Sequence, residues 1–190
     1  MLNLNKKRGK HMNIYLMRHG TTVWNEKGIT QGRVNNRLSQ SGKAIAEQRA
    51  LDLQNIDFDV IFASPLMRTM QTANIINKFH KTKIIKDERL TEIDQGIFSG
   101  RHKDSYTEAD SILRANRDKS CGMESFEELF DRCKSFADFL LSQTKYQTVL
   151  IVTHNAVASY LERILNNIPY SKETYFKHTF KNAEVKIINK

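Results

Sequence analysis

The sequence predicts a three-layer α/β/α fold built on a mostly parallel sheet. Three observations carry that prediction. Short apolar, strand-like runs alternate with segments of helical periodicity along the 190 residues. The strongest strand signal, Thr148-Val149-Leu150-Ile151-Val152, stands late in the chain with a helical segment on each side. With 2 Pro and 8 Gly, no linker or low-complexity tract divides the chain.

The elements follow in order. Residues 1–12 are polar and basic and read as a disordered extension; residues 13–190 read as one domain. Residues 13–17 form the first strand, followed by a polar loop with Gly28 and Gly32. Ser41 caps a helix to about Gln54, with Ala44, Ile45, Gln48 and Leu51 at helical spacing. Residues 59–63 form the second strand. Ser64-Pro65 then opens a helix to about His80, where proline suits the first turn. Residues 83–86 give a weaker third strand, and a glycine-bearing loop runs from Leu90 to Gly100. From Ser125 to about Lys145, Phe126, Leu129, Phe130, Cys133, Phe136 and Leu140 repeat at spacings of three and four, a core-facing stripe. The strand at 148–152, a helix from Ala156 to about Leu165 and a last strand from Ala183 to Ile188 complete the chain.

Composition excludes several classes. No apolar run approaches the length of a membrane span. Cys121 and Cys133 have neither CxxC spacing nor a second pair, which suits ordinary thiols in a reducing compartment, the cytoplasm. The formal charge is +9, of which residues 1–12 supply +4. The modest remainder, without a basic stripe carrying stacking aromatics, predicts no nucleic-acid partner.

In parallel sheets, ligands bind beyond the carboxyl ends of the strands. Arg18 and His19 follow the first strand, Ser64 and Arg68 the second, and His154 the strongest. Glu92 lies in the loop after the third. Two histidines, two arginines and one carboxylate should therefore meet at one edge. Guanidinium groups match phosphate oxygens and repel a bare cation, so the set predicts a phosphate site rather than a metal site. Nearby arginines keep an imidazole neutral and nucleophilic, and Glu92 is the obvious donor of a proton to a leaving oxygen. No cofactor is expected, and the partner is a small phosphorylated substrate.

The segment from Leu16 through Arg18-His19-Gly20-Thr21 to Asn25 resembles the RHGxTxxN signature of the histidine phosphatase superfamily, the phosphoglycerate mutase-like proteins. Gln31-Gly32, residues 38–42, and Ser64-Pro65-Leu66-Met67-Arg68 through Ala73 extend the likeness. So do Leu90-Thr91-Glu92 and Val152-Thr153-His154. The resemblance implies His19 as the phosphorylated nucleophile and Glu92 as the proton donor. Arg18, Arg68 and His154 would hold the phosphoryl group, Asn25 would add a hydrogen bond, and Gln31 and Gly32 would lie at the substrate end. Two departures stand out: Asn155 where glycine or glutamine is more usual, and Ser99 before Gly100 where an acid is common.

The 62-residue gap between Glu92 and His154 is short for the family's mutases, and Gln31-Gly32 resembles its phosphatases. The expectation is a phosphomonoesterase. Phosphoglycerate mutase-type transfer is the alternative, and a non-catalytic phospholigand-binding protein a second. Residues 97–125 are expected to cover the pocket. Their Arg101, His102, Lys103, Arg114 and Arg117 suit either a second anionic group on the substrate or a solvated helix face.

Overall fold

The computed structural model describes residues 11–171 and 179–190. Its strands are β1 (Asn13–Arg18), β2 (Val60–Ala63), β3 (Ile84–Lys86), β4 (Thr148–Thr153) and β5 (Val185–Asn189). Its helices are α1 (Val23–Glu26), α2 (Gln40–Leu53), α3 (Met67–His80), α4 (Glu108–Asn116), α5 (Phe126–Ser142) and α6 (Asn155–Leu165). One sheet has the order β3-β2-β4-β1-β5. All neighbouring pairs are parallel except β1 with β5.

Strand periodicity builds the layers. Successive side chains on a strand point to opposite faces. Val60, Phe62, Val149 and Ile151 enter one core with Phe136, Leu140, Val157 and Leu161, so α5 and α6 cover that face. Ile61, Ala63, Leu150 and Val152 enter the other with Ala50, Leu53, Ala73 and Ile76, so α2 and α3 cover the opposite face. Both faces of β4 are buried, which is why its sequence is apolar without alternation. Ser125 caps α5 in a capping box with Glu128, and its apolar stripe packs inward as expected.

Three local expectations are corrected. The cap of α2 is Ser39, not Ser41: Ser39 Oγ accepts from the Gly42 N–H at 3.1 Å. The apolar residues at helical spacing lie on its solvent face, with Ile45 42% and Leu51 46% exposed, while Gly42, Ala46, Ala50 and Leu53 are buried. A close approach requires glycine at position 42, where a Cβ would lie 1.9 Å from the Thr21 carbonyl oxygen. Pro65 stands before α3 rather than in its first turn. The Met67 N–H is capped from a loop by Asn35 Oδ1 at 2.6 Å. Finally, the expected extension stops short of Met12. That residue is buried, and its carbonyl accepts from the Lys190 N–H beside β5. Residues 1–10 of that extension lie outside the described residues. Among the described residues, no helix is long and apolar enough to cross a membrane.

Candidate active site

Parallel register brings the two histidines together. Arg18 and Thr153 are partners at the ends of β1 and β4, so His19 and His154 leave the sheet side by side. Their ring centroids are 5.2 Å apart, and both rings are buried. Gly20, directly after His19, packs closely against the start of α2, where a Cβ would lie 2.6 Å from the Gly42 carbonyl oxygen.

The hydrogen bonds fix both tautomers. His19 Nδ1 lies 2.7 Å from the Gly20 carbonyl, which can only accept, so Nδ1 carries the proton. Burial, then the charges of Arg68 and Arg18, push the His19 pKa well below its ordinary value. The ring is therefore neutral, and Nε2 presents a lone pair. For His154 the assignment is reversed. Arg68 Nε donates to Nδ1 at 3.2 Å, so Nε2 holds the proton and donates to Ser64 Oγ at 2.8 Å. Burial and Arg68 push the His154 pKa down as well.

The two arginines are held differently. Arg68, in the first turn of α3, is buried; Nη1 donates to the Val34 carbonyl at 2.7 Å and Nη2 to that of Gly32 at 2.8 Å. Arg18 Nη1 donates to the Phe180 carbonyl at 2.6 Å, while its Nε is buried without a partner among the described residues. Burial lowers both arginine pKa values, that of Arg68 to about 10, and the Glu92 carboxylate opposes the shift in each. Glu92 thus lies within electrostatic reach of both guanidinium groups. Its Oε1 accepts from the Ile93 N–H at 3.0 Å, and its backbone carbonyl accepts from Arg33 Nε at 3.2 Å.

The remaining expected residues sit around this group. Asn25 Oδ1 accepts from the Thr22 N–H at 3.1 Å, which leaves Nδ2 as the end able to donate to a ligand. The Thr22 hydroxyl is 2.9 Å from Gln31 Oε1. Gly32 contributes mainly its carbonyl, which anchors Arg68. Sequence reasoning missed Phe180 and Asn182, whose backbone carbonyl and side chain touch Arg18 and His19. No motif precedes them, and only the packing of β5 against β1 brings them here.

The basic residues after Gly100 are largely committed to structure, against a role in reading a second anion. Arg101 pairs with Asp110 at 2.7 Å and lies over the Tyr106 ring, as does Arg114. Arg117 is buried and donates to the Glu124 carbonyl at 2.7 Å and to that of Asp94. His102 and Lys103 are exposed beside Gly28, in a surface groove. Among the described residues, no group of three or more His, Cys, Asp and Glu side chains is placed to hold a metal ion.

The buried histidines predict an acid-sensitive fold. Unfolded, each recovers a pKa of about 6.5, so below that pH the unfolded chain binds protons that the folded chain refuses. This contribution to stability is fully present above about 6.5 and is lost as pH falls. Urea midpoints at pH 7.5 and 5.5 should differ more for the wild type than for His19→Asn. Equal differences would refute the assignment for His19.

Comparison with known proteins adds four likenesses. The family described as histidine phosphatase superfamily (branch 1) matches residues 14–189. The chain is 29% identical over 182 residues to phosphoserine phosphatase 1 of Hydrogenobacter thermophilus, covering 93% of this chain and 85% of that protein. It is 31% identical over 164 residues to the Enterobacter sp. (strain 638) protein named "Probable phosphoglycerate mutase GpmB", covering 83% and 76%. Among solved structures, Bacillus stearothermophilus YhfR superposes with a TM-score of 0.82 at 26% identity, covering 93% of this chain and 90% of that one.

Proposed function

The chain belongs to branch 1 of the histidine phosphatase superfamily, and on that premise we propose that it is a cytoplasmic phosphomonoesterase that hydrolyses a small phosphorylated metabolite through a phosphohistidine on His19. The observation that carries the reading is the free Nε2 of a neutral His19 beside a buried Arg18 Nε that lacks a partner. A buried cationic donor left unpaired is costly, and a phosphate oxygen supplies its acceptor.

The chemistry runs in two displacements. His19 Nε2 gives its lone pair to phosphorus, and the bond from phosphorus to the leaving oxygen breaks. Glu92 delivers a proton to that oxygen, releasing the alcohol. Water then attacks phosphorus and passes a proton to Glu92; the P–N bond breaks and its electron pair returns to Nε2. Arg18 offers its unpaired edge to the phosphoryl oxygens. Arg68 offers the second N–H of each Nη nitrogen, and Asn25 its Nδ2. Both nitrogens of His154 are taken by Arg68 and Ser64, so His154 acts on the phosphoryl group chiefly by orienting Arg68.

The relative named as a phosphoserine phosphatase supports hydrolysis; the relative named as a mutase keeps phosphoryl transfer as the second reading. The two separate in one assay. Given phosphoserine, 3-phosphoglycerate and other phosphomonoesters in the presence of EDTA, the protein should release inorganic phosphate from at least one. Interconversion of 2- and 3-phosphoglycerate should be minor. Rapid interconversion with slow phosphate release would establish the mutase instead.

A further inference from the structure

We propose that Asn155 is a positioning residue for Arg18, acting through the backbone of Phe180. The proposal rests on the reading of Arg18 as a phosphate-holding side chain. Asn155 opens α6 directly after His154. Its Oδ1 accepts from the Phe180 N–H at 2.9 Å, and the Phe180 carbonyl accepts from Arg18 Nη1 at 2.6 Å. The Phe180 side chain is buried, so both ends of that residue's backbone are held around a fixed centre.

The pinned nitrogen decides which edge of Arg18 is offered. A guanidinium has a side edge, Nε and Nη2, whose two parallel N–H bonds match two oxygens of one phosphate. Nη1 is not part of that edge. Holding Nη1 on a carbonyl leaves the Nε and Nη2 edge for a ligand, and Nε is the atom buried without a partner. The same stretch of chain also grips the nucleophile. Asn182 Nδ2 and the Ala183 N–H donate to the His19 carbonyl at 3.2 and 3.1 Å, and the Arg18 N–H donates to the Glu184 carbonyl at 3.1 Å. Residues 180–184 therefore run along both Arg18 and His19, and Asn155 ties their start to α6. Glycine or alanine at position 155 has no side-chain acceptor for the Phe180 N–H.

The test is direct binding of inorganic phosphate to the full chain, measured by isothermal titration calorimetry. Asn155→Ala should weaken phosphate binding roughly tenfold, about what one charge-assisted hydrogen bond contributes. Asn155→Ser, polar but too short to reach the Phe180 N–H, should behave alike. Both changes suit the first position of a helix, and circular dichroism melts should confirm a folded protein. In an Arg18→Met background, Asn155→Ala should cause no further loss, because its effect passes through the missing guanidinium. The role is overturned if Asn155→Ala leaves phosphate affinity unchanged, or weakens it equally with and without Arg18. If Arg18→Met alone leaves phosphate affinity intact, the clamp reading of Arg18 fails first and the positioning role falls with it.

Discussion

Replacing His19 by alanine should stop turnover on every phosphomonoester the wild type accepts, by roughly 10³-fold or more. The size of the effect follows from where the lone pair is. His19 Nδ1 is committed to the Gly20 carbonyl, burial and two arginines keep the ring neutral, and Nε2 is the atom left to attack. His154 cannot substitute. Its Nδ1 lone pair faces Arg68 Nε, and its Nε2 proton faces Ser64 Oγ. A second readout separates loss of the nucleophile from loss of binding. Wild-type protein quenched during turnover of a ³²P-labelled substrate should carry label that is stable in base and lost in acid, as a phosphoramidate is. His19→Ala should carry none, while still binding inorganic phosphate through Arg18 and Arg68. Near-normal activity in His19→Ala, or label retained in that variant, would rule out a phosphohistidine at this position.

Much of this site was legible before the fold was known, because strand ends are local signals. His19 follows the apolar run of β1, and His154 follows the most apolar run in the chain. Parallel pairing of those two strands is enough to set the rings side by side. Arg68 was legible for a similar reason, one helical turn beyond the end of β2. What the sequence hid was of two kinds. The buried face of α2 is made of Leu53 and the small Gly42, Ala46 and Ala50, which carry little hydropathy signal, while the larger Ile45 and Leu51 lie on the exposed face. Contacts contributed by backbone atoms were hidden as well. The carbonyls of Gly32, Val34 and Phe180 hold the two arginines, and every residue type has a carbonyl. The basic residues between 101 and 117 left two readings open for the opposite reason. Their charge is conspicuous in the sequence, but acidic and carbonyl partners, or rings beneath them, already engage Arg101, Arg114 and Arg117.

Glu92→Gln should slow the enzyme selectively, and the pattern of slowing is the test of its role. The change is mild for the fold, since the amide oxygen can still accept from the Ile93 N–H and the backbone carbonyl still accepts from Arg33. It removes a negative charge that acts on Arg18 and Arg68, so phosphate binding should not weaken, and KM should hold or fall. On the proposed role, what is lost is the proton for the leaving oxygen. For substrates that release a basic alcohol such as serine, kcat should drop by roughly 10²–10⁴-fold, the usual contribution of a positioned general acid. For p-nitrophenyl phosphate the leaving phenolate is stable without protonation, and the loss in formation of the phosphoenzyme should shrink to roughly tenfold or less. Burst kinetics keep the second displacement apart from the first, because a variant slow only in water attack would accumulate phosphoenzyme from either substrate. Equal slowing of phosphoenzyme formation from both substrate types would remove Glu92 as the acid. It would leave Glu92 as a group that places the substrate against Arg18 and Arg68.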